Sequence, residues 1–202
     1  MRASAVLISP SADGNVSKDF GSGAYSIDTT GPNVSAILTS TEELRGVWEF
    51  PIDSIPVGSR VNSATLQLFL GLIVNSTGGD APSTFQMCGY VGDGAVTASD
   101  WNNDGLSLQN FDVGSLGTMT FDVTPFVQNL VSDGDSYSGF LLKALTPYFQ
   151  VGFVSTEGVP FYPHPVLDVE FTPVPEPNVM TLVLLAGSVI AFTRHSLRTH
   201  LS

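Results

Sequence analysis

Hydrophobic and polar residues alternate along much of this chain. In LRGVWEF, Leu44, Gly46, Trp48 and Phe50 share one face, and Arg45, Val47 and Glu49 share the other. SATLQLFL repeats the pattern, setting Ala64, Leu66, Leu68 and Leu70 against Thr65, Gln67 and Phe69. A period of two predicts half-buried strand. TMTFDV (118–123), GFLLKAL (139–145), FQVGFV (149–154) and VLDVEF (166–171) are of similar length and bounded by Gly, Pro, Asp and Asn clusters. With AVLIS and VSAILT near the start, about nine short strands are expected. Their closely spaced turns favour a two-sheet sandwich or barrel over alternating βαβ units. Trp48 alternates inward and is expected in the core.

One segment breaks the alternation. In DVTPFVQNLVSDG, Thr124 is the expected N-cap and Pro125 occupies the first helical position, where its missing N–H does no harm. Phe126, Val127, Leu130 and Val131 form a helical stripe, and Gly134 can end the helix in a left-handed turn.

Near the C-terminus the pattern changes again. FTPVPEPN sets three prolines close together, which stiffens the chain and forbids further sheet pairing. Val179 to Thr193 then carries no charge, and Arg194 and Arg198 follow. A helix of that length spans about 22 Å, less than a hydrocarbon core of roughly 30 Å. It has no polar face, however, and the arginines can snorkel to headgroups and hold the end on the cytoplasmic side. A single transmembrane helix is therefore expected over 179–193, preceded by a linker (173–178) and followed by a basic cytoplasmic tail (194–202). The alternatives are a buried helix or an ordinary membrane anchor. At the front, Ala3-Ser4-Ala5 has the small-x-small form of a signal-peptide cleavage site. Residues 1–5 are then the remnant of a signal peptide, and 6–172 the sandwich domain.

Val174-Pro175-Glu176-Pro177, an apolar span and then arginines resemble the PEP-CTERM protein-sorting signal of Gram-negative bacteria. The resemblance implies recognition by exosortase, a membrane-embedded protease that removes the tail. It also implies passage of the body from the inner membrane to the cell surface or extracellular matrix, often beside exopolysaccharide production. The basic end departs from the usual tight arginine cluster, because HSL separates Arg194 from Arg198. Within the body, FPIDSIPVGSRVNSATLQLFL, FDVTPFVQNLVSDGDSYSGFLLKA and VSTEGVPFYPHPVLDVEF resemble successive pieces of the DNRLRE-type domain. That family implies a jelly-roll β-sandwich related to carbohydrate-binding modules, and the matching residues are mostly scaffold.

Charge narrows the partners. Residues 1–177 hold all 19 acidic residues and five of the seven basic ones, so they carry −14 and the tail +2. Such a body repels nucleic acid and anionic sugars, unless a divalent cation bridges the latter. The one cysteine, Cys88, excludes a disulfide within the chain and reads as a small buried hydrophobe.

Candidate chemistry is sparse. Asp100, Asn102, Asp104 and Gly105 follow the start of an EF-hand-like calcium loop, yet the expected twelfth-position Glu is Phe111. An Asx-rich turn is the competing reading. Otherwise no cofactor is expected. Trp101, Asn103, Tyr148 and Tyr162 lie in loop-like stretches and are the candidate sugar contacts, although loop aromatics also pack over sheet ends. His164 is wedged between prolines, and no nucleophile elbow or zinc-type ligand set is present. Glu42, Glu43, Glu49 and Glu157 could supply a glycosidase pair, but nothing in the sequence brings two of them together. An exported, non-enzymatic surface or matrix protein is expected. A discrete carbohydrate-binding module is the alternative, and a glycan-active enzyme the third reading.

Overall fold

The fold is that of a computed structural model and is described for residues 2–76 and 83–174. The chain runs through β1 (Ser4–Ile8), β2 (Ala12–Asp19), β3 (Tyr25–Asp28), β4 (Asn33–Leu38), β5 (Glu42–Pro51), β6 (Arg60–Asn75) and β7 (Thr84–Val91). A short 3-10 helix (Ala98–Asn102), β8 (Leu106–Asp112), β9 (Gly117–Asp122), α1 (Thr124–Asp133), β10 (Tyr137–Ala144), β11 (Phe149–Val154) and β12 (Val166–Thr172) complete it. All recorded strand pairs are antiparallel, in the order β1-β12-β6-β11-β4-β5-β10-β7-β8, with β2 joined to β5, β3 to β2 and β9 to β6. The protein is thus mainly β, with one α-helix and a curled antiparallel sheet.

β6 explains the curl. Its first half pairs with β12 and its second half with β11, while β9 takes the opposite edge through Thr65 to Leu70. Both partnerships carry a register shift, at Glu170/Phe171 and at Gly152/Phe153. Such irregularities bend strands and increase twist, so one long strand serves both limbs of the sheet. Leu66, Leu68 and Leu70 from β6 meet Trp48, Phe50, Phe85, Phe121, Phe140 and Leu167 in one buried cluster.

The expected helix forms, and its buried residues are Phe126, Val127, Leu130 and Val131. Gly134 ends it in the left-handed conformation (φ 80°), donating its N–H to the Leu130 carbonyl. Its start differs from expectation. Val123 is the N-cap, Asp122 Oδ1 accepts the Thr124 N–H at 3.0 Å, and Thr124 Oγ1 instead accepts the Ala64 N–H at 2.9 Å. The threonine ties helix to sheet, and the aspartate before it serves the helix end. α1 lies close because Gly89 has no side chain: a Cβ there would come within 2.8 Å of the Phe126 ring.

Four strands go beyond the alternating runs: β2, β3, β7 and β8. β2 reads ADGNVSKD, yet Asp13, Asn15 and Ser17 are buried. Asn15 replaces missing backbone partners by bonding to the Asn33 carbonyl at 3.0 Å and the Ser35 N–H at 2.6 Å. Burial of such side chains is tolerable only when they are hydrogen-bonded in this way. At the front, Ser4 and Ala5 pair with Phe171 and Glu170, so the sheet takes in two residues set ahead of the expected mature start. The helix expected over 179–193 lies outside the described residues. Among the described residues, no helix is long and apolar enough to cross a membrane.

Candidate functional site

The loop with the richest sequence signal lies over a second core. On the outer face of the sheet, Cys88, Leu141 and Val47 form one rung across β7, β10 and β5. Val16, Tyr90 and Trp101 join them in a small buried cluster. Trp101 is 5% exposed, and the Arg45 guanidinium sits 4.2 Å from its ring centroid. Tyr25 meets the ring edge-on at 5.9 Å. With its ring covered in this way, Trp101 offers no open face to a sugar.

The acidic residues of the same loop already have protein partners. Asp100 Oδ2 accepts the Thr97 N–H at 2.6 Å, closing a capping box at the 3-10 helix. Asn103 Nδ2 donates to Asp100 Oδ1 at 3.3 Å. Asp104 Oδ1 receives Arg45 at 2.9 Å and Lys143 at 3.1 Å. Partial burial opposes the Asp104 charge, but the two cations outweigh it and hold the carboxyl below its ordinary range. The Asn102 side chain is exposed. Of the loop's oxygen-bearing side chains, Asp100 and Asp104 thus already have protein partners.

Glu49 shows how the lid is keyed to the sheet. Opposite it on β10 is Gly139, and beyond that Tyr90 on β7. Because Gly139 has no side chain, the Tyr90 ring lies across it, in space that a Cβ would need. Tyr90 then donates its hydroxyl to Glu49 Oε1 at 2.6 Å, and the Gly94 N–H meets Oε2 at 2.8 Å. Burial raises the Glu49 carboxyl and the Tyr90 hydroxyl above their ordinary values.

The other candidates separate. Tyr148 is 40% exposed and adopts a left-handed backbone (φ 62°). Its N–H is held by the Leu38 carbonyl at 2.6 Å, and its carbonyl accepts the Ser76 N–H at 3.1 Å. Tyr162 is stacked on Phe69 with ring centroids 4.8 Å apart and planes 22° apart, whereas Tyr148 is bonded beyond the far end of β6, at Ser76. Trp101, Tyr148 and Tyr162 therefore do not converge on one site.

A site can be built around the last of these. Phe69 projects from the outer face of β6, the face shared with Thr65 and Gln67, and Tyr162 rests on it from the loop before β12. Phe69 covers one face of the phenol, and 45% exposure leaves the ring open to solvent elsewhere. Beside the stack lies a cleft of about 300 Å³ lined by Gln67, Phe69, Thr118, Pro163, His164 and Val166. The loop is tied down at its root: Ser155 Oγ bonds to the Gly31 carbonyl at 2.8 Å, and His164 Nδ1 lies 3.0 Å from the Ser155 carbonyl. The Tyr162 N–H also reaches the Val159 carbonyl at 3.2 Å. An aromatic plate beside an amide and a hydroxyl, on a braced loop, suits a polyhydroxylated ligand.

Phe69 was missed as a site residue in the sequence, although it is the one large aromatic on the polar side of its strand. A carboxylate pair was missed too. Asp13 takes the Thr156 N–H at 2.9 Å, and the Thr156 hydroxyl lies 3.0 Å from Asp13 Oδ1 and 2.9 Å from Glu157 Oε2. Asp13 is 3% exposed, so it is not offered to a substrate. Among the described residues no His, Cys, Asp and Glu group is arranged to hold a metal. Val174 is exposed, while Pro175, Glu176, Pro177, Arg194 and Arg198 lie outside the described residues.

No protein-family model matches the chain, and no curated protein matches it.

Proposed function

We propose that this chain is an exported, non-enzymatic surface or matrix protein whose jelly-roll-like β-sandwich associates with secreted polysaccharide through the Tyr162 ledge. The observation that carries the reading is the Phe69–Tyr162 stack on an exposed sheet face, beside a cleft bearing Gln67 and Thr118. A sugar ring has an apolar C–H face that packs on an aromatic plate and hydroxyls that need donors and acceptors at its rim. The export half rests on sequence alone. Val174-Pro175-Glu176-Pro177, the apolar run and Arg194 and Arg198 make the PEP-CTERM-like address, with exosortase and the inner membrane as transient partners. A glycan array probed with the labelled full chain tests the binding half. Signals are expected for the wild type and should disappear for Tyr162→Ala; equal signals from both proteins remove the ledge from the account.

A further inference from the structure

Registered rungs cross the face that carries the ledge. Opposed residues of an antiparallel pair point to the same side of the sheet. Phe69 therefore stands beside Thr118, Gln67 between Val166 and Thr120, and Thr65 between Asp168 and Asp122. One step further along β6, Ser63 stands beside Glu170. The face thus grades from an aromatic end under Tyr162, through amide and hydroxyl groups, to an acidic end. From Phe69 to Thr65 the distance is about 13 Å at the usual strand rise. That length suits a short run of sugar rings better than a single one.

The carboxylates of the acidic end are not ion-paired. Among the described residues every ion pair belongs to the Glu43–Arg45–Asp104–Lys143 cluster, and none involves Asp168, Glu170 or Asp122. Asp168 and Asp122 are two strands apart, on the order of 10 Å, too far to grip one cation together. Asp122 is also held in place by the Thr124 N–H.

The geometry points to an uncharged glycan chain as the ligand of this face, selected by Asp168 and Asp122 as much as by Tyr162. The inference rests on the sugar-binding reading above and adds its charge class. Ring hydroxyls donate to the carboxylates in charge-assisted bonds, Gln67 and the threonines serve neighbouring oxygens, and Tyr162 carries an apolar ring face. A uronic acid or sulfate in the same place meets these carboxylates on a body already carrying −14, and Arg60, at the start of β6, lies five residues along the strand from Thr65.

Affinity electrophoresis of the full chain in non-ionic detergent tests this. Native gels contain a neutral polymer (β-glucan, galactomannan or dextran) or an acidic one (polygalacturonate or alginate), all with EDTA. At least one neutral polymer should retard the wild type while both acidic ones leave it unmoved. Retardation should vanish in Tyr162→Ala and weaken at least tenfold in Asp168→Ala, with circular dichroism showing both variants folded. Retardation by an acidic polymer that still requires Tyr162 overturns the charge class and leaves the sugar-binding reading standing. Retardation by none of the polymers overturns both. Neutral binding indifferent to both substitutions places the contact elsewhere and refutes the inference.

Discussion

Asp13 should make the protein less stable as pH rises from 4 to 7, and Asp13→Asn should abolish that loss. The cause lies in one shared proton. The Thr156 hydroxyl sits within hydrogen-bond distance of both Asp13 and Glu157 but has a single hydrogen to give. A proton on Asp13 completes the chain, with Asp13 donating to Thr156 and Thr156 to Glu157. Burial is the largest influence on Asp13; the Thr156 bonds act against it and the Glu157 charge with it. Together they raise its pKa from 3.8 to about 6. The folded state therefore binds this proton more tightly than the unfolded chain does. Its contribution to stability is fully present below the unfolded value, near pH 4, and is lost as pH rises through about 6. About two pKa units correspond to about 3 kcal/mol. Asparagine imitates the protonated acid: its oxygen can keep the Thr156 N–H and its amide can donate to the hydroxyl. Urea unfolding of wild type and variant at pH 4 to 8, followed through the buried Trp48 and Trp101, measures the difference. The variant should gain on the wild type steadily, reaching about 3 kcal/mol above pH 7. Two stability curves that stay parallel across the range would show that Asp13 carries no such proton.

Trp101→Ala should cost about 3–5 kcal/mol in chemical unfolding, because the indole roofs the second core and seats Arg45; a loss under 1 kcal/mol would make the lid dispensable. The same variant should bind the Tyr162 ledge's ligand normally when folded, since the two sites lie on different surfaces. Gly89→Ala drives a methyl into the Phe126 ring, and overpacking of this kind costs about 1–3 kcal/mol; Phe126→Leu in the same chain should recover part of it, read as melting temperature. Tyr162→Ala removes a half-exposed ring and should change stability by less than about 1 kcal/mol while removing glycan binding. Millimolar calcium should leave the melting temperature unmoved, since Arg45 and Lys143 already hold Asp104; a rise of several degrees would refute that wiring.

How much of this the sequence disclosed depends on which residues carry the signal. β5 and β6 were legible because Trp48, Phe50 and the three leucines of β6 repeat every second residue and all face one core. β2 was not, because three of its five buried positions are Asp13, Asn15 and Ser17, whose burial depends on partners at Thr156, Asn33, Ser35 and Ser26 that no local window contains. The DWNNDG loop is the converse case. Its spacing of oxygens is local and visible, whereas the groups that engage them, Arg45 and Lys143, come from β5 and β10. Trp101 is likewise a loop residue by sequence and a core residue by contact, since an outer sheet face made of Val47, Leu141 and Cys88 needs a cover. The ledge lies between these cases. Strand alternation already sets Phe69 with Thr65 and Gln67 on the face turned from the core, so an aromatic ring among polar residues was visible in the sequence. Only the fold supplies Tyr162 from a distant loop and places Asp168 and Asp122 on either side of Thr65. The proposed binding face can therefore be suspected from one misplaced aromatic, but the charge along it, on which the proposed choice of sugar rests, follows from register alone.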